Sequence, residues 1–481
     1  MSLNSFSFLT RFFFLLIFLI LVDKVINIKH EKFGHRIQIL SLLAFSYYFI
    51  ISFDWRFLIC IFLITVFTFF IALLIGKTYS KQKKKKLMYI SVLLLALVLA
   101  YFKYANFFLQ KFSFLSKNMY STLNIILPIG ISFYVFSAIA YLIDIYREDY
   151  LPIQNFVDFA LYISFFPKLI SGPIVRGKKF FPQIKNYNGI KLTNFLLGIQ
   201  IFVFGFFQKV VLADHLSIFV NDVFYSPMAY NNATVIFAVL SYSLQIYFDF
   251  DGYSHMSIGL AKILGFDFDN NFNLPYLANG FSDFWNRWHI SLSSWFRDYL
   301  YFPLGGSRKG DARTYINLMI VMFVSGLWHG TGWTFLLWGF LHGIANCFEH
   351  YLKIKNINLP NWISIPLTFL TVTFLWIFFR ADNLSNAFVI IKSIFIFHRG
   401  ISQPYLWSFF AIGCYIISTI FAYLYSKKKA FKDKNGNFYI NGYCPILDLS
   451  KTRNLTLFFV FCGLIFILGY FGNTVFIYGN F

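Results

Sequence analysis

Apolar runs long enough to enter a lipid bilayer recur from one end of this chain to the other. The clearest lie at residues 12–22, 37–51, 57–75, 87–101, 123–143, 195–211, 234–248, 316–326, 333–345, 363–378, 408–424 and 455–470. In hydrocarbon every backbone N–H and C=O must be satisfied inside the protein, and a continuous apolar run does this as a helix. Several runs fall short of the ~20 residues of a straight span, so roughly ten to twelve crossings are expected, some of them tilted or re-entrant. With 58% hydrophobic and 13% charged residues the composition excludes an ordinary soluble domain. The expected class is an all-α polytopic membrane protein. Val22-Asp23-Lys24 stands where a secretory signal would carry small residues for cleavage, so the first apolar run should remain as a membrane helix.

The net charge of +21 does not point to nucleic acid, because the cations sit in short loops between apolar runs. Lys77, Lys81 and Lys83 to Lys86 form one cluster, and Lys427, Lys428, Lys429, Lys432 and Lys434 form another. The positive-inside bias places both in the cytoplasm, beside anionic lipid. The run at 455–470 then carries the final residues to the outer face. The five cysteines are scattered without zinc spacing and read as core-filling thiols.

No linker, repeat or low-complexity tract divides the chain, so residues 1–481 are expected to form a single membrane domain, with a cytoplasmic loop at about 426–453 and an outer-face tail at 472–481. The loop holds Gly-Asn and Asn-Gly turn signals at 436–437 and 441–442. In the middle third, Leu127-Pro128-Ile129-Gly130, Phe166-Pro167 and Ser171-Gly172-Pro173 interrupt the apolar pattern. They suit either loop ends at the interface or short re-entrant helices lining a wet cavity.

Polar chemistry concentrates between residues 281 and 343, where Arg287, His289, Arg297, Asp298 and His329 lie in an otherwise apolar setting. Such groups normally face a protein interior or a cavity. Taken as one helix, residues 284–298 place Trp285, His289, Ser293 and Arg297 at steps of four on one face. That face could wall a reaction slot, or belong to an interfacial aromatic belt. His329 ends an apolar run between Trp328 and Gly330, and suits either a general base or a helix–helix hydrogen bond. Asp249 and Asp251 could bind a cation or couple protons, although a solvated helix end is the favoured account. There is no H-E-x-x-H, no G-x-S-x-G elbow and no glycine-rich phosphate loop, and two histidines alone do not make a metal site.

Phe284-Trp285-Asn286-Arg287-Trp288-His289, Trp295-Phe296-Arg297-Asp298-Tyr299-Leu300-Tyr301 and Gly326-Leu327-Trp328-His329-Gly330 resemble the signature of membrane-bound O-acyltransferases. The resemblance extends through Leu-Pro-Ile-Gly-Ile-Ser-Phe-Tyr from Leu127 and Tyr-Ile-Ser-Phe-Phe-Pro from Tyr162, covering most of residues 85–345. Phe302-Pro303-Leu304-Gly305-Gly306 is similar to the branch that O-acetylates bacterial polysaccharides such as alginate and peptidoglycan. Teichoic-acid D-alanylation proteins share only part of this pattern. Heavy use of Phe, Ile, Lys and Asn suggests an AT-rich genome and leans towards peptidoglycan.

The resemblance implies a ring of tilted helices around a central tunnel in the bacterial inner membrane. Acetyl would arrive as a cytoplasmic thioester, acetyl-CoA, with no bound cofactor or metal. His329 would be the general base and His289 a second catalytic group. Trp285, Ser293, Arg297, Asp298, Ser325 and Trp328 would line the donor path. The final transfer to glycan would belong to a separate outer-face (periplasmic) acetyltransferase. The aromatic tail Phe476-Ile477-Tyr478-Gly479-Asn480-Phe481 is similar to a C-terminal motif of the polysaccharide-modifying members, which makes Tyr478 a candidate acyl acceptor. Val475 and Gly479-Asn480 depart from that motif. A proton-coupled transporter and a non-catalytic scaffold are the competing classes.

Overall fold

The computed structural model describes residues 3–27, 31–112, 125–427, 447–472 and 477. The helices, in chain order, are α1 Phe6–Val22, α2 Glu31–Ile51, α3 Trp55–Lys77, α4 Lys81–Phe112, α5 Ile131–Arg147, α6 Phe156–Ser164, α7 Phe166–Leu169 and α8 Gly177–Lys185. They continue as α9 Leu192–Phe207, α10 Asp214–Tyr225, α11 Asn232–Ile263, α12 Phe281–Arg287, α13 Ile290–Phe296, α14 Asp311–His329 and α15 Trp333–Ile354. The last four are α16 Asn361–Arg380, α17 Leu384–Phe395, α18 Leu406–Lys427 and α19 Thr452–Leu468. Strands are absent among the described residues, apart from one isolated bridge between Tyr230 and Ile401.

Among the described residues, six stretches are long and apolar enough to cross a membrane: Phe6–Ile26, Trp55–Lys77, Lys81–Phe108, Leu192–Tyr225, Asn232–Ile263 and Asn361–Arg380. Shorter apolar helices add Leu384–Phe395, Leu406–Phe421 and Thr452–Leu468. The proposed loop at 426–453 falls mostly on 428–446, outside the described residues, as do Lys428, Lys429, Lys432 and Lys434 and most of the tail.

Two compact units make up the chain, one of Met1–Ile199 with Ser257–Asp269, the other of Gln200–Met256 with Asn270–Phe481. In the first, Phe166 at the start of α7 is fully buried, with the rings of Phe8, Phe12, Phe45 and Phe49 within 5.0–6.0 Å of its own. Helix α5 is buried on almost every face. It begins at Ile131 rather than inside the apolar run, because Pro128 and Gly130 end the preceding extended segment and Gly130 sits at φ +70°. A side chain there would also strike the backbone of Leu169. The proline- and glycine-broken middle third becomes the short helices α6 to α8, of which α8 buries only Gly177, Phe180, Phe181 and Ile184. Asn155 caps α6 by accepting from the Val157 N–H at 2.9 Å.

The second unit holds the larger aromatic core, in which the fully buried Trp288, Trp338 and Trp376 lie ring against ring. Two sequence expectations are corrected here. Asp249 and Asp251 do not end a helix in solvent. They lie in mid-α11, each 2% exposed. Partners from the neighbouring segment make that burial tolerable: Lys209 lies 2.6 Å from Asp249, and the Gln208 side-chain amide donates to Asp251 at 2.8 Å. Nor is 284–298 one helix, as the site geometry shows.

Candidate active site

The histidine at 289 breaks the helix expected over 284–298. It sits at φ +43°, ψ +54°, between the end of α12 and the start of α13. A non-glycine residue in that region is strained and persists only where its surroundings hold it. Asn271 does the holding. Its backbone carbonyl accepts from the Ile290 N–H at 2.8 Å, and its Oδ1 accepts from the Ser291 N–H at 3.2 Å and the Ser291 hydroxyl at 2.9 Å. His289 Nδ1 lies 3.2 Å from the same Oδ1. An atom accepting from a backbone N–H is the amide oxygen, so Nδ1 is the protonated nitrogen and Nε2 carries the lone pair. Steps of four along one helix therefore do not describe this face.

The ring of His289 is fully buried and meets Phe250 of α11 at 4.6 Å and Trp328 of α14 at 6.0 Å, both edge to face. His329, the last residue of α14, is 1% exposed. Three rings box it: Trp328 at 4.8 Å, Trp338 of α15 at 5.0 Å and Phe379 of α16 at 5.2 Å. The two imidazoles thus share the indole of Trp328.

Close approach of α14 and α15 makes this box. A Cβ on Gly339 would lie 2.5 Å from the Met322 carbonyl oxygen and 3.0 Å from Gly326 Cα. Only glycines let the two backbones pack this tightly, as small residues do between membrane helices. Trp338, beside Gly339, is thereby pressed against His329.

Among the expected site residues the structure brings together His289, His329, Trp328 and Trp285. Trp285 is 8% exposed and meets Trp338 at 5.8 Å. Ser325 is buried one turn before His329 on α14. Ser293 is half-buried, and its hydroxyl donates to the Trp288 carbonyl at 3.1 Å. Arg297 and Asp298 fall on a separate π-helical turn, Arg297–Tyr301, where they pair at 3.0 Å with the Arg297 side chain 51% exposed. Arg287 likewise turns to Asp283 at 2.9 Å. Tyr478 lies outside the described residues.

The sequence reading missed His342. On α15, one turn after Trp338, it is fully buried, with Trp338 at 4.8 Å and Trp285 at 5.0 Å. Neither ring nitrogen has a hydrogen-bond partner among the described residues. Its signal was the glycine spacing of Trp338-Gly339-Phe340-Leu341-His342-Gly343, which places the histidine on the helix face of Gly339 and Trp338.

A buried, strained histidine and a second imidazole on one indole suit proton transfer in a dry site. The model of the membrane-bound O-acyltransferase family matches residues 40–381. The chain belongs to this family. It is therefore an acyltransferase and a multi-pass integral membrane protein whose reaction draws on an acyl donor. A relative named "Peptidoglycan O-acetyltransferase", from Helicobacter pylori, is 37% identical over 359 residues, 68% of this chain and 68% of its own. Another, "Probable alginate O-acetylase AlgI" of Azotobacter vinelandii, is 40% identical over 372 residues, 75% of this chain and 73% of its own. The "Teichoic acid D-alanyltransferase" of Bacillus subtilis is 28% identical over 270 residues, 52% of this chain and 67% of its own.

Proposed function

We propose that this membrane O-acyltransferase carries acetyl from a cytoplasmic thioester, acetyl-CoA, across the bacterial inner membrane for O-acetylation of a cell-wall polysaccharide, peptidoglycan. The observation that carries the reading is His329, buried at the end of α14 in a box of aromatic rings and sharing Trp328 with His289. The relatives named for peptidoglycan and alginate supply the acceptor class, and both outweigh the teichoic-acid relative in identity and coverage of this chain.

In the proposed step His329 accepts the phenolic proton of Tyr478 while the phenolate oxygen bonds to the thioester carbonyl carbon. The C–S bond breaks and the departing thiolate takes the proton from the imidazolium. The result is an acetyl ester on Tyr478 and a free thiol. A tyrosine with an unperturbed pKa near 10 offers little phenolate at neutral pH, so a base is required. Such a base typically contributes ~10²- to 10⁴-fold in rate. His289, with its Nε2 lone pair fixed by Asn271, orders the donor. An outer-face acetyltransferase then moves acetyl from the tyrosine to a sugar hydroxyl.

Purified protein in liposomes with acetyl-labelled acetyl-CoA tests this. Wild type releases coenzyme A and leaves label on the protein, His329→Ala does neither while staying folded, and Tyr478→Phe keeps no label. Normal turnover by His329→Ala would remove the base. Acetyl on isolated muropeptides, rather than on secreted uronate polymers, identifies the glycan.

A further inference from the structure

Hydrogen bonds from the last residue of α19 and from described residues beyond it lead to one region. The Leu468 carbonyl lies 2.8 Å from His215 Nε2, the Tyr470 N–H donates to the Val210 carbonyl at 2.9 Å, and the Ile477 N–H donates to Asp249 Oδ2 at 2.8 Å. Val210 belongs to a π-helical turn, Gln208–Ala213, inserted between α9 and α10. Such turns are costly and frequently mark functional positions. This one delivers Lys209 to Asp249 at 2.6 Å and to Asp214 at 2.7 Å, with all three side chains at most 4% exposed.

One buried cation against two buried carboxylates leaves an excess of acceptor oxygens, which is expensive in an apolar interior. Asp249 divides its two oxygens: Oδ1 takes Lys209 and Oδ2 takes the Ile477 N–H. Ile477 itself packs against the second unit's core. On α11 the next residue, Phe250, is the ring against which His289 lies. The point that grips the tail is thus one residue from a wall of the histidine site.

We propose that Asp249, held by Lys209, is a positioning residue that sets the register of the C-terminal segment for acyl transfer. This rests on the Tyr478 relay and specifies how the acceptor is presented: the grip is on the N–H of the residue immediately before the tyrosine. Asp249 touches neither donor nor acceptor atoms in the proposed step, and acts only through the segment it holds.

Two variants break the contact from opposite sides. Asp249→Ala removes the acceptor and leaves Lys209 with Asp214, while Ile477→Pro removes the donor and leaves the buried charges intact. Hydrogen–deuterium exchange, resolved to the Ile477 amide, should be slow in wild type and at least ten times faster in Asp249→Ala. Acetyl transfer should fall about tenfold in each single variant, and the double variant should be no worse than the worse single, the signature of one shared interaction. A merely structural role for Asp249 gives multiplied losses instead. Unchanged exchange in Asp249→Ala, or multiplied losses, overturns the proposal. Should Asp249→Ala fail to accumulate, wild-type transfer by Ile477→Pro overturns it alone. Tyr478→Phe separates the two ideas: normal acetylation by that variant sinks the relay, while slow exchange at Ile477 would still show the tail held by Asp249.

Discussion

Placing one methyl group at position 339 should cost this enzyme far more activity than stability. In Gly339→Ala the new Cβ would lie 2.5 Å from the Met322 carbonyl oxygen and 3.0 Å from Gly326 Cα, both backbone atoms that no rotamer change can move. The closest ordinary carbon-to-oxygen approach is about 3.3 Å, so α15 must retreat from α14 by roughly 0.8 Å. Overpacking of this kind costs about 1–3 kcal/mol, and replacing a mid-helix glycine by alanine returns about 1. The net destabilisation is thus about 0–2 kcal/mol. Trp338 moves with Gly339, and its ring is one wall of the His329 box at 5.0 Å.

A misplacement near 1 Å in a catalytic group can lower the rate by about 10²-fold. The expected result is therefore a 10- to 100-fold loss of the proposed glycan acetylation, measured per unit of membrane-inserted protein, with a nearly unchanged melting temperature in detergent. Gly413→Ala is the control, since a Cβ there meets nothing within 4 Å. Acetylation by Gly339→Ala within twofold of wild type would refute the argument that glycine packing sets the position of His329.

Three further outcomes are expected. His342→Leu should leave stability within about 1 kcal/mol of wild type in thermal melts, because edge-to-face ring contacts worth about 0.5–1.5 kcal/mol are lost while a buried imidazole without a hydrogen bond to any described residue, costing about 1–3, is removed; a larger destabilisation would mean the ring nitrogens are bonded in the native protein. Lys209→Met should lose about 3–5 kcal/mol by leaving Asp214 and Asp249 buried without their cation, and adding Asp214→Asn and Asp249→Asn should recover most of the melting temperature. An impermeant thiol reagent on intact cells should label a single engineered cysteine at 481 and spare one placed in 83–86 or 427–434; the reverse pattern would invert the topology drawn from lysine placement.

Class and chemistry were legible because they rest on composition and local motif. Apolar runs in a bilayer leave the backbone few ways to satisfy itself, so a polytopic helical protein followed directly from their recurrence. Trp328-His329-Gly330 announced a histidine at the end of a helix, and Pro128, Gly130 and Pro167 announced broken helices, because backbone preferences are local. What sequence periodicity could not show was any property requiring a second segment. His289 reads as the middle of a helix, and only Asn271, eighteen residues away, holds it in a left-handed conformation and orients its ring. Asp249 and Asp251 read as a solvated end, whereas partners such as Lys209 and Gln208 on a π-helical turn let them be buried. Arg297, an expected neighbour of His289, turns instead to Asp298. Helix formation and membrane partition depend on residues near in sequence, whereas the burial of a charge and the strain at one φ angle depend on partners that only the tertiary fold brings within hydrogen-bond reach.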